Sequence, residues 1–355
     1  MLLARARHNT RRASLGAPAI ATPPSPFSPI RARNPSKSHD PVSGTLVELP
    51  LGVSVPRRFP LEKTTFVACR RVNDRRFLLR PDAKLTALVT WLLGVCAPLF
   101  GVEVHAITVM SSHYHMVFSV ADQRASAFFE MFNANLAKAV NVLRRLPRGI
   151  VWEPGKLSLV ELKTVDAVVF EIAYAITNPV AAGLVWSPED WPGLSVQVED
   201  IGRRVLAEKR PGFFFSRAWK KRSFLDITLP ACLLELGDDE ARAMITKSVR
   251  SQVAEARAEI KRKHFRVLGP VAARNVSPSR RATTWETFGV VHPTFATGPG
   301  RVAERIVAAL EVTAFRQAYR AAWLRYRDGD TDVVFPYGTY LMRVRHGVNV
   351  APPPT

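Results

Sequence analysis

His105-Ala-Ile-Thr-Val-Met-Ser-Ser-His113-Tyr114-His115-Met-Val-Phe-Ser-Val120 is the stretch on which the fold turns. It reads as two strands joined by a tight turn at Ser111-Ser112. Alternation along a strand sends Tyr114, Met116, Phe118 and Val120 to one face and His113 and His115 to the other. The first set is apolar and belongs to a core. The second sets two imidazoles side by side, roughly 6–7 Å apart at the backbone, where they can share one divalent ion. A His-x-His pair on a strand also occurs as ordinary packing, so the pair needs a second element to give it meaning.

Outward from this hairpin the pattern is regular. Residues 64–71 read as a first strand, and Asn73-Asp74-Arg75-Arg76 as a polar turn. Pro81-Asp82 opens a helix to about residue 97, with Leu85, Leu88, Val89 and Leu92 on one stripe. The second strand covers 102–110 and the third 113–120. A long helix over about 123–145 carries Phe128, Phe129, Phe132, Leu136 and Val140 on its apolar face and Lys138, Arg144 and Arg145 on its polar one. A short segment at about 150–158 supplies a fourth strand. A helix over 164–177 follows, capped by Thr164 and stopped before Pro179. This order predicts an α+β fold, a ferredoxin-like antiparallel sheet with helices on one face and the opposite face open for a site.

Beyond about residue 200 the pattern changes. Phe213-Phe-Phe215 and Trp219 sit among Arg and Lys, residues 238–266 form a basic helical stretch, 267–300 are loop-like, and 301–327 make an amphipathic helix with a partly strand-like tail. Three regions result: a basic disordered tail and linker at 1–58, the sheet domain at 59–198, and a basic, mostly helical C-terminal region at 199–355. The Arg-rich start lacks an apolar core followed by a cleavage site and reads as a tail and not as a signal.

The chain has 355 residues, is 47% hydrophobic and carries a formal net charge of +20. Such a charge points to a polyanion, nucleic acid first and an acidic membrane surface second. The longest apolar run, 85–100, is broken by Gly94 and Pro98 and too short to span a bilayer. Cys69, Cys96 and Cys232 are scattered, which suits a reducing compartment and neither a disulfide framework nor a zinc knuckle.

On the 164–177 helix, Val165, Val168, Val169, Ile172 and Ile176 form a buried stripe. Tyr174 and Asn178 lie four apart on another face, with Glu171 nearby. Taken alone, Tyr174 could be a packing residue and Asn178 a helix cap. Together with the histidines they carry a resemblance. His113-Tyr114-His115, then Tyr174-Ala-Ile-Thr-Asn178-Pro-Val-Ala-Ala-Gly183-Leu-Val185, then Pro188-Glu-Asp-Trp191-Pro192 resembles the REP-associated tyrosine transposases, single-tyrosine members of the HUH endonuclease superfamily. The likeness spans about 60–195. That family usually has Pro, Asn or an acidic residue just before the first histidine; Ser111-Ser112 stands there instead.

The resemblance implies a metal-dependent single-strand DNA endonuclease and strand transferase. Tyr174 would be the nucleophile that forms a 5′-phosphotyrosine intermediate. His113 and His115 would hold Mg²⁺ or Mn²⁺, with Asn178 as third ligand and Glu171 as the weaker candidate. A free phenol has a pKa of about 10, so metal and positive field must help it. Arg70, Arg71, Arg75 and Arg76 are expected phosphate contacts. His105, Trp152 and Trp191 read as structural. Hairpin or single-stranded DNA is the expected partner, with no membrane, as a monomer or homodimer in the nucleoid-bearing cytoplasm. The alternative is a domesticated, catalytically inactive DNA-binding protein of the same fold; a metal-dependent RNA phosphodiesterase is more remote.

Overall fold

The structure, a computed structural model, describes residues 63–121, 124–146, 150–155, 157–203, 205–283 and 293–352. The tail and linker expected at 1–58 lie outside the described residues. Strands β1 (Thr64–Arg71), β2 (Glu103–Val109), β3 (His113–Val120) and β4 (Ser158–Leu162) form an antiparallel sheet in the order β2-β3-β1-β4. That is the ferredoxin-like order expected. The hairpin closes where the Met110 N–H donates to the His113 carbonyl at 2.8 Å, leaving Ser111-Ser112 as the loop. The free edge of β2 is covered, because Val109 donates to Leu194 and Val196 donates to Ile107. Covering an edge removes a template for aggregation.

Helices α1 (Ala83–Leu99) and α2 (Arg124–Leu143) pack on the face that carries Phe66, Tyr114 and Phe118. Phe118 meets Phe129 at 5.2 Å between centroids, and Tyr114 meets Phe132 at 5.8 Å. The two helices are tied at one corner. Asp82 caps α1 by accepting from the Leu85 N–H at 3.0 Å, and Arg144, past the end of α2, donates to the same carboxylate at 2.5 Å. Burial raises the pKa of Asp82, but the bonds from Arg144 and Leu85 outweigh it and hold the carboxyl below its usual value.

Helix α3 (Val165–Ala181) crosses the other face of the sheet, so the face expected to stay open is instead occupied by the helix that bears Tyr174. Two local expectations change. The fourth strand runs at 158–162; the earlier segment contributes only a bridge between Trp152 and Val72. And α3 does not stop before Pro179. The proline removes one hydrogen bond in the last turn, a small loss beside the burial of Val180 and Ala182, and the helix ends at Gly183, whose φ of +64° suits glycine.

The C-terminal region shares this core. A hairpin of β5 (Val205–Lys209) and β6 (Arg222–Asp226) packs on α1, with Phe215 and Trp219 around Trp91 at 4.5 and 5.9 Å. After α4 (Ala231–Leu234), the long α5 (Asp238–Arg262) lies along α3. Gln252 clasps it there, donating to the Phe170 carbonyl and accepting from Thr177. One buried cluster runs from Phe66 through Phe215 and Leu225 to Ile245 without a break at residue 198. Then come α6 (Pro270–Asn275), β7 (Phe295–Ala296), which extends the sheet parallel to β4, and α7 (Val302–Arg327). The chain closes with β8 (Val334–Phe335), α8 (Tyr340–His346) and β9 (Asn349–Val350), which with the end of α7 enclose a small separate core around Phe335. No helix among the described residues is long and apolar enough to cross a membrane.

Candidate active site

The pleat does the first part of the assembly. His113 and His115 leave β3 on the α3 face, with ring centroids 4.9 Å apart and planes at 88°. Across β1, Arg71 stands opposite His113 and Cys69 opposite His115. The His113 Nδ1 lies 3.1 Å from Ser112 Oγ, which leaves its Nε2 for another partner. The His115 Nε2 lies 3.9 Å from Cys69 Sγ, a weak contact.

Helix α3 supplies the second part. The Tyr174 ring stands edge-on to His115 at 5.4 Å between centroids and 90° between planes. Tyr174 and His113 are half-buried and His115 is 9% exposed. A phenol and two imidazoles, sixty residues apart in the sequence, therefore stand together on one face of the sheet. Leu184, just past the end of α3, lines the same apolar slot as His113. Asn178 follows Tyr174 by one turn on the same helix. Asn178 is 2% exposed and sits inside the helix, not at its end.

Burial lowers both imidazole pKa values. His115 is pushed down to about 3 by burial and then by the charge of Arg71. His113 lies well below its usual value through burial, then His115, Arg71 and Arg75. Both rings are neutral at pH 7, the form that binds a metal. Glu171, 3% exposed, is pushed up to about 8 by burial, so its carboxyl is protonated at neutral pH.

Two neutral imidazoles on one face are a donor pair that fits a divalent ion of mixed nitrogen and oxygen preference. Among the described residues no three His, Cys, Asp or Glu side chains converge closely enough to hold an ion by themselves. An ion held there would take its third donor from outside that set.

The four arginines separate. Alternation puts Arg70 on the α1–α2 face, where it donates to the Gly155 carbonyl at 2.9 Å and lies over the Trp152 ring. Arg71 shares the imidazole face. Arg75 acts on His113 through its charge, and Arg76 donates to the Ile150 carbonyl at 2.9 Å. The residues read as structural are so placed. His105 Nδ1 donates to the Thr228 carbonyl at 2.9 Å and its Nε2 accepts from Ser119 Oγ at 2.7 Å. Trp191 Nε1 donates to the Val109 carbonyl and Trp152 Nε1 to the Asn133 carbonyl. Sequence reasoning placed Ser112 before His113 but missed its hydrogen bond to that ring, and it missed Cys69 as the cross-strand neighbour of His115. Only the β1–β3 register reveals Cys69, and no local signal carries that register.

Fold and site define a class: an α+β protein of ferredoxin-like strand order that brings a tyrosine ring against a strand-borne histidine pair. No protein-family model matches the chain, and no curated protein does. Among solved structures it is similar to a REP-associated tyrosine transposase bound to a REP hairpin, at 18% identity and a TM-score of 0.35, over 42% of this chain and 85% of the other. It is also similar to a protein from Deinococcus radiodurans assigned as a transposase, at 18% identity and a TM-score of 0.25, over 30% of this chain and 85% of the other.

Proposed function

We propose that the protein is a metal-dependent single-strand DNA endonuclease and strand transferase in which Tyr174 is the nucleophile. The observation that carries this reading is the placement of the Tyr174 ring 5.4 Å from that of His115, on the face shared with His113. A phosphodiester bound there would meet the phenolic oxygen in line. Tyr174 Oη forms a bond to phosphorus as the bond to the 3′-oxygen breaks. The phenol loses its proton and the departing 3′-oxygen gains one. The strand is left with a free 3′-hydroxyl and a 5′-phosphotyrosine, which keeps the bond energy for a later transfer to another 3′-hydroxyl.

His113, His115 and Asn178 would hold Mg²⁺ or Mn²⁺. When bound, such an ion supplies charge to offset the phosphate and orients it. Arg71 adds positive field at the same face, and burial keeps the imidazoles unprotonated and able to donate. Incubation with hairpin-bearing single-stranded DNA and Mn²⁺ tests the reading. It predicts a covalent protein–DNA adduct with the wild type, none with Tyr174→Phe and none after chelation. A wild type that binds this DNA but forms no adduct, with binding unchanged in the His113→Ala, His115→Ala double variant, is instead a binding protein of the same fold.

A further inference from the structure

The stretch after α5 takes no part in the chemistry above, yet it is fastened around the pocket. Leu268 donates to the Gly183 carbonyl at 3.1 Å and Gly269 to the Leu184 carbonyl at 2.9 Å, at the end of α3. Further on, Phe77 donates to the Arg280 carbonyl at 2.9 Å and Ala282 to the Arg75 carbonyl at 3.2 Å. Arg76 and Arg281 form an antiparallel bridge. The strap 268–282 is thus pinned at one end to the tyrosine helix and at the other to the turn after β1. Between the pins, Leu268, Val276 and Ala282 wall the slot that His113 also lines.

That turn is strained where the strap holds it. Asp74 and Arg75 both have φ of 55°, a left-handed conformation that costs a non-glycine residue roughly 1–2 kcal/mol. Such strain persists only where the surroundings over-determine it. The result is that Arg75, whose charge reaches His113, stands beside Arg280 and Arg281 on one rim. The Arg280 side chain has no hydrogen-bond or ion-pair partner among the described residues. Among the described residues the Arg281 side chain meets Asp74 alone, at 3.4 Å, with the side chains 63% and 46% exposed. An exposed pair of that kind holds weakly, and a phosphate can displace it.

We propose that this strap is a strand-positioning wall, in which Arg280 and Arg281 take phosphates of single-stranded DNA flanking the one delivered to His113 and Tyr174. The inference rests on the proposed function for its substrate class, and its test does not depend on cleavage. Binding of hairpin single-stranded DNA is measured against salt in the Tyr174→Phe protein, with and without Arg280→Ala and Arg281→Ala. Each lost phosphate contact on a single strand lowers the log–log salt slope by about 0.7, so the double variant flattens it by about 1.4. The dissociation constant rises about tenfold at moderate salt. With Tyr174 intact, KM for cleavage rises while kcat holds, and Arg280→Lys with Arg281→Lys restores most of the loss. Removing the same charge from α7, as Arg325→Ala with Arg327→Ala, leaves the slope unchanged.

An unchanged slope in the Arg280, Arg281 variant, while its parent binds DNA, overturns the strap and leaves the nuclease reading standing. So does an equal flattening in the α7 control, which would reduce the effect to net charge. A strap-dependent slope in a protein that never forms an adduct has the opposite meaning: the wall is kept and the nuclease reading fails.

Discussion

His115 is the residue on which the pocket pivots, since its ring touches Tyr174, faces Cys69 and neighbours His113. Two-residue periodicity made the histidine pair legible, because a strand that buries Tyr114 and Phe118 must present His113 and His115 together. The same rule separates Arg70 from Arg71. The contact to Tyr174 was beyond local reading, because it depends on how a helix docks across the sheet. Buried titratable groups give opposite pH slopes. Folded, Glu171 keeps its proton to about pH 8; unfolded, it releases it near 4.5. The folded chain binds more protons across that window, so this group's contribution to stability falls as pH rises from about 4.5 to 8. His105 is lowered from 6.5 to about 4, so the unfolded chain binds more protons there and stability falls as pH drops through that range. Thermal unfolding of Glu171→Gln beside the wild type separates the two: the wild type loses ground to the variant between pH 5 and 8. A constant difference across that range would show that Glu171 is not held protonated.

At the scale of elements, α3 decides whether the pocket exists. Its N-cap, Thr164, accepts from the Ala167 N–H at 3.1 Å and donates to the Thr297 carbonyl at 2.7 Å, which ties the helix start to the segment after β7. Thr164→Ala should cost about 1 kcal/mol, read as a lower urea midpoint with an unchanged slope of unfolding. Adduct formation should survive, since Gln252 still clasps the middle of the helix. Strands β1 and β3 were legible to the residue because each alternates cleanly. The end of α3 was not, because a proline in the last turn sacrifices little that burial of Val180 does not replace. The fourth strand slid by several residues because the pairing around Trp152 stops at a single bridge to Val72, while its indole N–H is drawn to Asn133.

At the scale of the whole molecule, the expected division near residue 198 does not divide the core. Phe215, Leu225 and Ile245 lie in the same cluster as Phe66 and Trp91. The β5–β6 hairpin was illegible because it leaves Phe224 exposed while burying Ser223, the reverse of a hydrophobic pattern. Its reason is spatial: a Cβ at Gly94 would come within 2.9 Å of the Ser223 side chain, so only small residues fit where the hairpin crosses α1. A chain ended after residue 198 should therefore lose cooperative unfolding and precipitate, as Trp91 and α3 lose their cover; a soluble fragment with a sharp melt would refute the shared core. The net charge of +20 was legible as a partner class but not as a surface, since folding sorts arginines between packing, as for Arg70 and Arg144, and the rim beside His113. What the whole arrangement stands or falls on is which atom of the protein carries the DNA. The decisive measurement is mass spectrometry of the peptide left attached to nucleotide after hairpin single-stranded DNA is cut in Mn²⁺. The predicted result is a 5′-phosphate ester on Tyr174 alone, and a linkage on any other side chain, or cleavage products with no linked peptide, would contradict it.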